Sequence, residues 1–334
     1  MQSRRDGYWT SGSVLIALSV LAAAAISFAP RIAGAQSVPD SEMFDPAKVI
    51  AGIQISHDAC RDMEARQTAV WVIVEGKGYC LRYYAAGLSQ KGENPLVAAW
   101  MPGDVMGGPK GVGHQQGIGV ASMIEQSKSL SDKYGVPWVF IARPGSYGSA
   151  GKNYDIRHKP LEAKLVAAEI DALKLRYRIG HWALGGHSGG GTLAAEFLAR
   201  RHDLTCVVLS SAAAAYRERL KQRGFKKRLK IDVFFDPFDA LDNVPKQPDR
   251  RVFMLADPRE TNIPFPSQKL YFDALKARGH AVWMAVLKKA PPPKYHSLVD
   301  FGEAATGMCA NGTQTDIILQ TLQNMPQQSS RVMN

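Results

Sequence analysis

The stretch Trp182-Ala183-Leu184-Gly185-Gly186-His187-Ser188-Gly189-Gly190-Gly191-Thr192-Leu193-Ala194-Ala195 decides how this chain folds. An apolar run ends in glycines, a single serine stands at the turn, and an alanine- and leucine-rich helical pattern follows at once. That reads as strand, sharp turn and helix. Gly186, Ser188 and Gly190 fill a Gly-x-Ser-x-Gly pattern. Here the serine is held in a strained turn with its hydroxyl above the sheet edge, and the residues two before and two after must be small because strand and helix crowd there. Ser188 is therefore a candidate nucleophile, and the N–H of Gly189, opening the helix, a candidate oxyanion donor.

Upstream, residues 69–74 and 79–86 are β-rich runs joined by Gly76-Lys77-Gly78, a hairpin signal, and 96–101 is a continuous apolar run that ends at Pro102-Gly103-Asp104. A buried strand stopping in a glycine loop is where a second backbone donor is needed, which makes Gly103 and Asp104 candidates for the oxyanion hole. Residues 107–119 are glycine-rich with one histidine, His114, but lack the full spacing of a phosphate cradle, so they read as a rim loop. Residues 136–142 form the next buried strand, with Tyr147 in the loop after it. Leu161, Leu165, Ala168, Ala172 and Leu175 then recur at helical spacing.

Downstream, 192–201 reads as helix and 204–210 as strand, so the rhythm implies a parallel sheet covered on both faces. Residues 212–250 break that rhythm and read as a lid-like insertion. Such a segment overhangs the C-terminal strand edge, where open parallel sheets bind ligands, so Phe234 and Phe235 join Tyr147 as candidate substrate contacts; the alternative is that the phenylalanines only pack the insertion onto the body. The sheet resumes at 251–256, and 281–287 is the last strong strand.

A serine hydroxyl needs a base in hydrogen-bond reach, and the base needs a carboxylate to orient it. Of the eight histidines, His181 and His280 precede their strands, His202 ends a helix, His57 and His158 lie far from a post-strand loop near the C-terminus, and the turn points His187 away. His296, in the loop after the last strand, is the candidate base. Two carboxylates follow strand 251–256. Asp257 has the commoner residue type but little loop to reach a histidine; Glu260 is longer and lies further out. Both stay open as the acid.

The ends and composition set the context. Arg4 and Arg5, the apolar run at 14–29 and Ala33-Gly34-Ala35 read as a signal peptide over 1–35, cut after Ala35, rather than a retained anchor, because the run falls short of the roughly 20 residues a span needs. The expected location is therefore periplasmic or secreted, with no stable membrane span after processing. Residues 36–64 are polar and read as a loosely ordered lead-in. The formal charge is +11; residues 1–35 hold three of the basic residues and one acidic, leaving +9. Much of that excess sits at 221–230, read as a solvated helix face, since no nucleic-acid motif accompanies it. Of the four cysteines, Cys60 and Cys80 flank the first strand pair and form the favoured disulfide; Cys206, in an apolar run, reads as a buried thiol. No metal-ligand spacing is present, and no metal or cofactor is implied.

Together the elbow Gly186-His187-Ser188-Gly189-Gly190, the strand-loop Met101-Pro102-Gly103-Asp104 and His296 resemble the α/β-hydrolase superfamily over roughly residues 65–325. The resemblance implies an α/β fold with a mostly parallel central sheet of about eight strands, helices on both faces and a small lid insertion. That family often shows Asp-x-x-Val-Pro around its acid, and Glu260-Thr261-Asn262-Ile263-Pro264 sits on that frame, which favours Glu260. Pro102 stands where many members have a histidine, which leaves the backbone donor intact. The expectation is an exported serine hydrolase acting on a small-molecule or peptide substrate. A carboxylesterase-like enzyme comes first, a peptidase related to prolyl oligopeptidase second, and a catalytically inactive binding protein of the same fold third.

Overall fold

The computed structural model describes residues 42–105, 115–225 and 233–328. The leader at 1–35, His114 and the basic residues at 226–230 lie outside the described residues.

One eight-stranded sheet organises the chain. β1 (Ala69–Val74) and β2 (Lys77–Ala86) pair antiparallel. Their two-residue turn, Glu75-Gly76, has φ of 52° and 75°, the left-handed pair that suits a tight hairpin between twisted strands. The remaining strands are β3 (Asn94–Met101), β4 (Trp138–Ile141), β5 (Ile179–His187), β6 (Leu204–Ser210), β7 (Arg251–Ala256) and β8 (Val282–Val286). The spatial order is β1-β2-β4-β3-β5-β6-β7-β8. β2 meets β4 antiparallel, and every pairing from β4 onward is parallel.

The strands read as unbroken apolar runs because both faces are covered. In β3, Val97, Ala99 and Met101 face one core while Ala98 and Trp100 face the other. The helices are α1 (Pro46–Ala51), α2 (His57–Ala65), α3 (Val120–Tyr134), α4 (Asn153–Ile156), α5 (Pro160–Tyr177), α6 (Gly189–Leu198), α7 (Tyr216–Gln222), α8 (Phe265–Ala277), α9 (Val299–Ala310) and α10 (Thr315–Asn324). Leu165 and Ile170 of α5, Leu193 and Phe197 of α6 and Tyr271 of α8 fill the first core; Met123 of α3, Phe301 and Ala305 of α9 and Ile318 of α10 fill the second.

Two expectations are corrected here. From residue 42 on the lead-in is not loosely ordered: Asp45 accepts from the Ala47 N–H (2.8 Å) to cap α1, and Ser56 accepts from the Ala59 N–H (3.2 Å) to cap α2. The sequence carries those caps, because short polar side chains ahead of a helix satisfy its free N–H groups. Cys206 is not a free thiol. It joins Cys309, tying β6 to α9 across a sequence separation of 103, while Cys60–Cys80 ties α2 to β2. Closing so long a loop removes conformational freedom from the unfolded chain, on the order of 4–5 kcal/mol.

Candidate active site

β3 and β5 end together, with Met101 opposite Gly186, and β6 ends beside them with His187 opposite Ser210. The turn that follows β5 therefore projects from the middle of the sheet. Ser188 occupies it with φ 53° and ψ −118°, a conformation that costs an L-residue about 1–3 kcal/mol. Its N–H donates to the Ser210 carbonyl (2.9 Å), and its own carbonyl accepts from the Thr192 N–H (2.9 Å) and hydroxyl (3.1 Å), which hold the strain in place. The flanking glycines are required by contact. A Cβ on Gly186 would fall 2.4 Å from the Gly190 carbonyl carbon, and one on Gly190 would fall 2.3 Å from the Met101 carbonyl oxygen.

The loop after β3 lies against this elbow. Gly103 is in van der Waals reach of Ser188, since a Cβ there would sit 3.4 Å from the serine's own. Arg143, fully buried at the end of β4, fastens the loop from behind. It donates to the Pro102 carbonyl (3.2 Å), pairs with Asp104 (2.9 Å) and donates twice to Glu162 (3.0 and 2.5 Å). The Val105 N–H donates to Asn153 (3.0 Å), and Arg157 donates to the Val105 carbonyl (3.1 Å). Asp104 also contacts His158 Nε2 at 2.8 Å. Burial alone would raise the Asp104 carboxyl, but His158, Arg143 and Arg157 outweigh it and hold the group well below the usual carboxylate range. Its Oδ1 rests where a Cβ on residue 189 would be, so only glycine after Ser188 admits it.

In the same cavity as Ser188, His296 Nδ1 meets Glu260 Oε1 in a short hydrogen bond. Glu260 is buried, accepting from the Ile263 N–H (3.0 Å) and from Gln268 Nε2 (3.0 Å). Burial raises the Glu260 carboxyl well above its ordinary value. Burial, then the charges of Arg219 and Lys294, push the His296 imidazole down, so it rests unprotonated at neutral pH, the form a base requires. Asp257 points elsewhere: both its oxygens engage the Arg259 side chain (2.9 and 2.7 Å), and one accepts from the Ala290 N–H (3.2 Å). The structure thus brings Glu260, and not Asp257, to His296.

Ser188, Gly189, Asp104 and His296 line one cavity of about 440 Å³. Tyr216, Arg219, Arg223 and Phe225, from the segment after β6, form part of its wall. The aromatic side chains expected there do not. Phe234 packs behind Tyr216 (ring centroids 5.5 Å apart), Phe235 lies in the main core behind His158 (6.3 Å), and Tyr147 is wedged between Phe44 and Phe140 (5.8 and 4.9 Å). His187 also departs from expectation: its buried ring packs against that of His296, 4.7 Å away, because the residue before the strained serine closes β5 rather than entering the turn. Sequence reasoning missed Arg143 and Arg219, and it read Arg223, within 221–230, as part of a solvated helix face where the structure puts it in the cavity wall; Arg143 carried a faint signal, an arginine directly after a buried strand.

No protein-family model matches this chain, and no curated protein does. Solved structures resemble it in fold. An esterase of Pyrococcus furiosus superposes with a TM-score of 0.50 at 14% identity, covering 78% of this chain and 94% of its own. The uncomplexed acylaminoacyl peptidase of Pyrococcus horikoshii gives 0.51 at 12% identity over 78% of this chain, which spans only 42% of that protein's length. The eight-stranded, mostly parallel sheet with helices on both faces and these likenesses lead to one conclusion: the chain has an α/β-hydrolase fold.

Proposed function

We propose that the chain is an exported serine hydrolase that cleaves a carboxylic ester. The observation that carries the reading is the Glu260–His296 hydrogen bond in the wall of the cavity that also holds the strained Ser188. Ser188 Oγ attacks the acyl carbon while His296, oriented by Glu260 through Nδ1, takes the hydroxyl proton on its other nitrogen. The backbone N–H groups of Gly189 and Asp104 bear the charge that develops on the carbonyl oxygen, with Gly103 letting the loop approach. Collapse of the tetrahedral intermediate breaks the ester bond, and the imidazolium returns the proton to the departing alcohol. Water, deprotonated by His296, then attacks the acyl-enzyme and releases the acid with Ser188 restored.

Export is supported by the two disulfides, which persist in oxidising compartments, together with the leader-like residues 1–35. A fluorophosphonate should label Ser188. The Ser188→Ala protein should lose that label and about 10³-fold or more of its ester turnover; full activity in this variant would refute the reading. A panel of acyl esters and aminoacyl amides separates ester from peptide cleavage.

A further inference from the structure

The cavity in front of Ser188 carries more positive charge than acyl transfer uses. Arg157, Arg219, Arg223 and Lys294 line it, against Asp104 in its wall and Glu260 behind His296. Asp104 is already engaged by His158 (2.8 Å), Arg143 (2.9 Å) and Arg157 (3.7 Å), so the charge that Arg219 also feels is divided among several partners. Arg219 donates to the Asn262 carbonyl and side-chain oxygen (both 3.1 Å). Arg223 donates to the carbonyls of Thr261 (2.8 Å) and Asn262 (3.2 Å). Those acceptors are neutral. Among the described residues no carboxylate pairs with Arg219, Arg223 or Lys294. Other cations of the same helix, α7, do have acidic partners: Arg217 pairs with Asp239, and Lys221 with Glu218 (3.6 Å).

The two arginines are also held in place. The Arg219 guanidinium lies 5.8 Å from the Tyr216 ring centroid and that of Arg223 5.5 Å from Phe225, contacts that restrict a long side chain while leaving its fork able to meet a planar anion. Like charges gathered at one cavity repel, an arrangement relieved when an anion enters.

We propose that the substrate carries a carboxylate, held by Arg219, Arg223 and Lys294 while its ester bond is presented to Ser188. The preferred substrates are then half-esters of dicarboxylic acids, or esters whose alcohol portion bears an acid group. The hydrolytic step rests on the serine-hydrolase reading; capture of the anion does not.

Two matched pairs test this: 4-acetoxybenzoate against its methyl ester, with the charge on the leaving side, and monophenyl adipate against phenyl methyl adipate, with the charge on the acyl side. At low ionic strength, kcat/KM should favour the charged member of at least one pair by about tenfold or more, and the preference should fade as salt rises. Arg223→Gln and Lys294→Glu should shrink the ratio, whereas damage to folding alone would lower both members together and leave it unchanged. A ratio at or below one in both pairs, with turnover and serine labelling intact, overturns the inference and spares the hydrolase. If neither labelling nor turnover occurs, the hydrolase reading falls, and calorimetry on the Ser188→Ala protein decides the rest. Salt-sensitive binding of benzoate or adipate, lost in Arg219→Gln, supports capture; no binding at millimolar concentration overturns it.

Discussion

Two histidine–carboxylate pairs stand at the cavity, and the proposed mechanism gives them different tasks. His296 meets Glu260, and His158 meets Asp104 at 2.8 Å. The side chains are of the same kinds; their surroundings are not. Asp104 is shared with Arg143 and Arg157, so its charge is spent on holding the loop after β3, and His158 is fixed by stacking on Tyr216 (4.6 Å, 26°) with its Nδ1 buried. Besides His296, Glu260 accepts from neutral donors, among them an N–H of Ile263 and the amide of Gln268, and the Arg219 charge reaches it through space without forming an ion pair. His296 is thus its ionisable hydrogen-bond partner among the described residues. A carboxylate tied into ion pairs with arginines is a poorer orienter of an imidazole than one whose direct partners are neutral donors.

The largest test of this contrast removes each imidazole in turn. His296→Ala should lower ester turnover by about 10³-fold or more, while His158→Ala, checked for folding by circular dichroism, should cost less than about tenfold. The reverse ranking would assign the base to the other wall. A smaller effect follows from the acids. Glu260→Gln, which keeps the shape and removes the charge, should slow turnover by about 10²–10⁴-fold, and Asp257→Asn, at a carboxylate committed to Arg259, should act on thermal stability more than on rate. The smallest is a pH shift. Because His296 is depressed by burial and by nearby cations, the acid limb of kcat/KM should fall below the ordinary imidazole value of about 6.5. Lys294→Gln removes one of those charges, favours the imidazolium and should move the limb to higher pH; no movement would mean that this charge does not reach the imidazole.

The fold is legible in the sequence where local and long-range demands coincide. Gly186, Ser188 and Gly190 announce the elbow because the same close packing that requires them also sets their spacing. His296 is legible because few histidines follow a strand near the C-terminus. The choice between Glu260 and Asp257 is not, since both follow β7 and only the partners, Arg259 for one and Gln268 for the other, separate them. Cys309 is equally silent: it meets Cys206 only once α9 has packed across β6. Phe234 and Phe235 mislead because an insertion bordering a site presents one face to it and buries the other, and a sequence does not say which face they occupy.

The Cys206–Cys309 bond has one more consequence. Glu260, His296, Arg219, Arg223 and Lys294 all lie between these two cysteines, and Ser188 lies outside them on the N-terminal side. The acid and base of the proposed mechanism, with Arg219, Arg223 and Lys294, thus ride on a covalent ring rooted in the strand beside the serine's own. A peptide bond cut anywhere along that ring opens it without setting either arm free.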